Sequence, residues 1–533
     1  MNVDNKVASI IEKMSDKEKI GQLVMASNEH GDTEMPSEFI RKMIQDYFVG
    51  SMIVYGKRDV VSQAEYNNKV QEFAGETRLN IPLFVTADLE NGAAQRVPDD
   101  ATTLPRQMGI GATNSLEHAK TYSQIAAREV KALGFNWSYS PDADVNNNPL
   151  NPVIGVRSFG EKTDLVSHMT EIQVRGYQEE GVIATAKHFP GHGDTEADSH
   201  HELPKVTYDM EELKEVHLPP FQAAIKAGID SIMTSHIIVE AIDPKLPATL
   251  SKDVLTGLLR EEMGFEGLIV TDAMGMQAID ANWGAGEAAV MSIQAGADIV
   301  MAEGPTKDQI ETYEALNEAY QSGELTEERI NNSLERILRK KLEYDLFNRR
   351  FVDTSEAKSF VGNPEHQKMA MQMARDSITL VKNEEVLPFN GKNEDTIFIA
   401  GVTYVDAIAK YAEQNNNGKV IAWQADSHNP SDKEIRQAVN EAEKADRIIM
   451  ATYSLAELPT GQSQLVKKLL TTGKPMVVVS LGLPYDYKHF SEVNAYLASY
   501  ALDNWQLKNL TSIQAAVDVV FGETPGGKLP VTI

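Results

Sequence analysis

The 533-residue chain contains no cysteine. Disulfides, thiolate nucleophiles, zinc ribbons and cysteine-ligated iron–sulfur clusters are therefore excluded. Basic side chains are in deficit: 50 Lys and Arg stand against 78 Asp and Glu, a net charge of −28. Nucleic acids and anionic bilayers are bound through basic excess, so neither is an expected partner. Long apolar runs are missing as well. The longest, around 475–483, has the length of a strand, far short of the ~20 residues of a membrane span. The first residues, MNVDNKVASIIEKMSDKEKIGQL, are charged throughout and lack the apolar core of a secretory signal. Val7, Ile10, Ile11 and Met14 recur there at helical spacing. A cytoplasmic location is expected. Apolar side chains, by contrast, make up 42% of the chain, enough for sizeable folded cores.

Short apolar, β-branched runs punctuate the first three hundred residues, at 21–26, 50–55, 82–88, 135–141, 182–188, 229–236, 267–273 and 297–303. Helical patterns such as 115–133 and 209–227 separate them. Eight β-α units are the pattern of a (β/α)₈ barrel, with a doubly wound open sheet as the competing α/β reading. The charged helix TEERINNSLERILRKKLEY at 326–344 closes this region. The expected organisation is a barrel over 1–345, an aperiodic linker over 346–365 and a smaller α/β sandwich over 366–533. In that last region apolar runs at 396–401, 420–424, 447–453, 475–481 and 495–500 alternate with helical stretches.

Polar residues fall where the predicted strands end. Asp88 closes the third run, Lys187 and His188 the fifth, His236 the sixth and Asp272 the seventh. Barrel enzymes build their sites from the C-terminal ends of strands, so these side chains would share one rim. A carboxylate on a rigid strand end suits a nucleophile or a stabiliser of an oxocarbenium-like centre. Asp272 could equally cap a following helix. The segment KHFPGHGDTEADSHH, 187–201, is a loop, because Pro190, Gly191 and Gly193 bar a helix. His188 and His192 have metal-site spacing, but with Pro and Gly between them they share no helix face, and no metal is expected. Asp198 and His200, two apart, can point the same way on extended chain, the carboxylate orienting an imidazole for proton transfer. A solvated polar loop is the alternative. Asp88, Arg96 and Arg157 suit paired hydrogen bonds to sugar hydroxyls, or a salt bridge at the barrel mouth.

These residues resemble glycoside hydrolase family 3, in its β-N-acetylglucosaminidase branch. KHFPGHGDTEADSH followed by Leu203-Pro204 is similar to that branch's signature. ADLENGAAQR, NNNPLNPVIGVRSFG, LPATLSKDVLTGLLREEMGFEGLIVTDAMGM, SITLVKNEEVLPF and FGETPGGKLPVTI resemble other family segments in order. The likeness runs over essentially the whole chain. It implies a (β/α)₈ barrel followed by an α/β sandwich, and a retaining exo-acting glycosidase without a cofactor. Asp272 would be the nucleophile, His200 the general acid/base and Asp198 its dyad partner. Asp88, Arg96, Arg157, Lys187 and His188 would hold the terminal sugar, and His236 receives no role. Two departures concern the flanks of that sugar: Asn91-Gly92-Ala93 replaces the usual Gly-Gly-Arg, and Ala273 replaces a second Asp. The expected substrate is a small glycan fragment ending in N-acetylglucosamine, from cell wall or chitin. The rivals are a β-glucosidase or β-xylosidase of the same architecture, phosphorolysis of the same bond, a catalytically silent sugar binder and a metal-dependent hydrolase.

Overall fold

The computed structural model describes residues 3–28, 34–196, 198–199, 203–389, 394–503 and 509–533. They form two compact units, the first comprising Met1–Thr102, Ala119–Val145 and Ser167–Asn363, the second Thr103–His118, Asn146–Val166 and Pro364–Ile533.

The first unit is built on eight parallel strands. They are β1 (Val24–Ser27), β2 (Ser51–Ile53), β3 (Phe84–Ala87), β4 (Trp137–Ser138), β5 (Thr185–Phe189), β6 (Ser231–Thr234), β7 (Leu268–Val270) and β8 (Val300–Ala302). Each lies inside one of the eight runs or overshoots it by a residue. One hydrogen-bonded sheet runs β8-β1-β2-β3-β4 and another β5-β6-β7. Bridges between Trp137 and Ile183 and between Val270 and Ile299 join them at both edges. The sheet thus closes on itself, which excludes the open doubly wound alternative. Strands buried on both faces read as continuous apolar runs, the signal seen in the sequence. Trp137 fills the interior, its ring edge-on to Phe84 at 5.2 Å and Tyr139 at 5.6 Å, and its indole N–H donates to Thr185 Oγ1 at 2.6 Å.

The helix Glu327–Glu343 starts where the sequence suggested, with the Thr326 hydroxyl accepting from Arg329 N. The stretch read as aperiodic linker carries a short helix, Thr354–Phe360. Asp353 caps it, accepting from the backbone N–H groups of Ser355 and Glu356. Seven residues offer too few turns for a hydrophobic period to show.

The second unit holds a six-stranded sheet of β9 (Thr379–Asn383), β10 (Ile397–Gly401), β11 (Val420–Gln424), β12 (Arg447–Thr452), β13 (Met476–Ser480) and β14 (Ala495–Ala498). Their order is β9-β14-β13-β12-β10-β11, parallel except for β9 against β14. Alternation along β10 divides the unit into two cores, Ile397 and Ile399 on one face, Phe398 and Ala400 on the other. The sequence pattern missed β9, an edge strand ending in Lys382-Asn383 with a bulge between Leu380 and Lys382. Two earlier chain segments also belong here. Met108, Ala112 and Val156 join the core that contains Phe398, and Asn146 Nδ2 donates to Tyr485 Oη at 3.1 Å.

Candidate active site

At the C-terminal end of the barrel, polar residues follow the strands as expected, and their order is set by pairing. Lys187, on β5, is 1% exposed. A buried ammonium must be matched by anions. Its Nζ lies 2.9 Å from Asp88 Oδ1 and 2.7 Å from Glu90 Oε1. Arg96 sits 3.7 Å from the other Asp88 oxygen, with its guanidinium 5.2 Å from the Tyr55 ring centroid. Asp88 remains partly open to water while Glu90 is buried. Three of the five residues assigned to the sugar, Asp88, Arg96 and Lys187, are therefore one connected cluster.

His188 is the fourth, and it is held from behind. Its Nδ1 lies 2.7 Å from Asp144 Oδ2, and its backbone N–H donates to the same carboxylate at 3.2 Å. Asp144 Oδ1 also accepts from His192 N at 2.6 Å, and Asp142 Oδ1 accepts from Asp144 N at 3.0 Å. Asp142, Asp144 and His188 are, among the described residues, the group whose ligand atoms all approach within 4.8 Å and could face a metal. The Asp144 oxygens, however, are already engaged by three N–H donors. That saturation suits a structural anchor better than a ligand set.

Asp272 stands two residues beyond β7 and is half-buried. It caps no helix. The next helix begins only at Gln277, after Met276, and Asp272 Oδ1 instead accepts from the adjacent Ala273 N at 2.8 Å. His236, fully buried, secures the neighbouring backbone: its Nε2 lies 2.9 Å from Ala273 O and its Nδ1 2.8 Å from Thr249 Oγ1. This gives His236 a structural place that the sequence left open. Asp198 is half-buried within the loop after β5, next to the buried Ser199. His200 lies outside the described residues. Arg157, the fifth sugar-assigned residue, belongs to the second unit, where its carbonyl accepts from Gln107 Nε2.

The barrel also presents residues that the sequence reading did not single out. Burial pushes the Tyr139 phenol well above its ordinary pKa, and the charges of Asp88, Asp272 and Glu303 push it further. The Tyr55 phenol is raised by burial first, then by Glu303 and Asp88, against the opposing pull of Arg96. Both phenols stay neutral hydrogen-bond donors at any working pH. Tyr139 thus feels the charges of Asp88, Asp272 and Glu303, and Tyr55 those of Asp88 and Glu303. Glu303 and Tyr55 end the eighth and second apolar runs, so the strand-end rule that found Asp272 applies to them equally. Asp142 directly follows the fourth apolar run, so the same rule reaches it, whereas Asp144 lies further into the loop and carried no such signal.

A closed barrel that gathers carboxylates, arginine and histidine at the carboxyl ends of its strands is the architecture of a barrel enzyme. Residues 16–340 match the glycosyl hydrolase family 3 N-terminal domain and residues 378–533 its C-terminal domain. The chain belongs to glycosyl hydrolase family 3 and is a two-domain glycoside hydrolase. A β-hexosaminidase A of Pseudoalteromonas piscicida is 30% identical, over 94% of this chain and 92% of its own. A β-N-acetylglucosaminidase/β-glucosidase of Cellulomonas fimi is 29% identical over 74% of this chain and 69% of its own. Among solved structures, a family 3 β-N-acetylglucosaminidase from Paenibacillus superposes with a TM-score of 0.90 at 32% identity, covering 97% of this chain and 99% of the other. Among the described residues no helix is long and apolar enough to cross a membrane.

Proposed function

We propose that this enzyme removes terminal β-linked N-acetylglucosamine from small glycan fragments, with retention of configuration. The observation that carries the reading is a strand-end carboxylate, Asp272, two residues beyond β7 and ahead of any helix start, in a barrel whose chain after β5 continues in sequence into Asp198-Ser199-His200. The similarity to enzymes described as hexosaminidases over nearly the full chain supports the same substrate class.

Retaining hydrolysis needs a nucleophile on one face of the anomeric carbon and an acid on the other. Asp272 attacks the anomeric carbon and forms a glycosyl-aspartate. His200, oriented by Asp198, gives its proton to the departing oxygen and later takes one from the incoming water. Asp88, Arg96, Arg157, Lys187 and His188 hold the terminal sugar through paired hydrogen bonds, strongest where water is excluded. Using an imidazole in place of a second carboxylate also lowers the repulsion felt by an anionic acceptor, so phosphate can compete with water. Fragments of cell wall or chitin, processed in the cytoplasm, are the natural substrates on this reading.

The test is a set of initial rates on 4-nitrophenyl β-glycosides of N-acetylglucosamine and glucose, for wild type and His200→Ala, with and without phosphate. The expected result is a clear preference for the N-acetyl sugar and a defect in the variant below the ~10²–10⁴-fold worth of a general acid, because nitrophenolate leaves readily. Preference for glucose with an unimpaired variant would contradict the reading. Formation of sugar phosphate would identify phosphorolysis.

A further inference from the structure

The loop after β5 is bound to the barrel through a histidine to which the proposed chemistry gives no role. His192 is 1% exposed, and its ring meets the His188 ring edge-on at 5.9 Å. Both of its nitrogens are engaged. Nδ1 lies 2.8 Å from Thr195 Oγ1, and Nε2 lies 2.9 Å from Ser199 Oγ. Thr195 and Ser199 are themselves 0% and 2% exposed. The Thr195 hydroxyl also lies 3.2 Å from the His192 carbonyl, to which it donates. The imidazole is thus held between two buried hydroxyls and spans seven residues of loop. Its own backbone N–H is tied to Asp144, whose carboxylate also fixes His188.

From this geometry we propose that His192 is the positioning residue for acid/base catalysis, a strut between Asp144 on the barrel wall and Ser199 beside Asp198. Ser199 adjoins Asp198 in the chain, so a fixed Ser199 limits where that carboxylate can stand. One strut then couples the two halves of the site: the same Asp144 carboxylate sets the sugar-contacting imidazole and the root of the proton-transfer loop. Gly191, with φ +132°, allows the loop to descend this closely, since a Cβ there would lie 2.8 Å from His217 Cβ. The inference rests on the proposed role of the Asp198–His200 pair.

The experiment compares kcat/KM on phenyl and 2,4-dinitrophenyl N-acetyl-β-glucosaminides for wild type, His192→Phe, Ser199→Ala, Ser199→Thr and His200→Ala. The phenyl glycoside needs acid assistance and the dinitrophenyl glycoside does not. A catalytic group displaced by ~1 Å loses up to ~10²-fold. His192→Phe and Ser199→Ala should therefore lose ~10–100-fold on the phenyl glycoside and under ~3-fold on the dinitrophenyl one. Ser199→Thr, which keeps the hydroxyl, should stay near wild type. Equal losses on both substrates, or none on either, would overturn the strut. Should His192→Phe fail to fold, Ser199→Ala decides alone. His200→Ala separates the two ideas. If it shows no dependence on the leaving group, the acid is elsewhere and the function reading falls. If it does while Ser199→Ala does not, only the strut falls.

Discussion

At the N-terminal end of the barrel strands, Asp298 has no exposed surface and faces Arg260 at 2.5 Å, Arg336 at 3.2 Å and Arg329 at 4.0 Å. At the opposite end Asp88 also sits between two cations, yet a third of its side chain, 34%, remains open to water. The two ends bury charge for different purposes. At the bottom, each group is closed by partners within the fold. Lys341, whose pKa is driven well down by burial, donates to Gln22 Oε1 at 2.7 Å and Gly50 O at 2.8 Å. Asp230 pairs with Lys340 at 2.5 Å and accepts from the Tyr344 hydroxyl. At the top, Asp88 keeps an open side despite its two cations, and Asp272 is half-buried. Buried charge therefore does not mark a site by itself; position at the carboxyl end of a strand is what separates Asp88 and Asp272 from Asp298.

A reciprocal pair of substitutions tests the comparison most severely. Asp298→Asn leaves three arginines facing a neutral amide and should destabilise the fold by about 3–5 kcal/mol, while kcat per folded molecule is unchanged. Asp272→Asn should do the reverse, abolishing turnover by roughly 10³-fold or more with little effect on unfolding. Denaturant melts and active-site-normalised rates read both. The arginines outweigh the cost of burial and hold the Asp298 carboxyl below its ordinary range. Its stabilising effect is present above the unfolded value and lost as the pH falls through the folded one, so the gap between wild type and Asp298→Asn should narrow in acid.

His217 gives a smaller effect with a defined window. It is buried beneath Gly191, stacked on Tyr208 at 4.5 Å, and neither ring nitrogen has a hydrogen-bond partner among the described residues. Burial lowers its pKa from 6.5 to about 4. The unfolded chain then takes up the proton first, so stability is full above about 6.5 and falls as the pH drops toward about 4, by about 3 kcal/mol in all. His217→Phe should lose that much less stability than wild type between neutral pH and pH 4, as read by urea midpoints. An identical acid dependence would place the sensitivity in another group.

Much of this was legible from the amino acids because barrel strands are continuous apolar runs. Asp272, Lys187 and His188 could be found by asking what ends each run, and the second unit's parallel strands read out by the same rule. Other features lay beyond sequence reading for physical reasons. β9 has a polar, half-exposed edge face and so no apolar period. Asp144 acts through backbone N–H groups of a loop more than forty residues away in sequence, a pairing no local pattern records. The segments holding Gln107 and Arg157 join the second unit through Met108, Ala112 and Val156, whose apolarity looks the same whichever core it enters. The family resemblance supplied the roles of Asp272, Asp198 and His200; residue types alone left capping and proton transfer equally open.

The central claim is that Asp272 attacks the sugar. Incubation with a slow fluorinated N-acetylglucosaminyl fluoride, followed by proteolysis and mass spectrometry, tests it directly. The account predicts one glycosyl adduct on the peptide carrying Asp272, absent in Asp272→Asn. An adduct on another carboxylate, or an oxazoline product with no labelled peptide, would contradict it and assign the attack to a different residue or to the substrate's own acetamide.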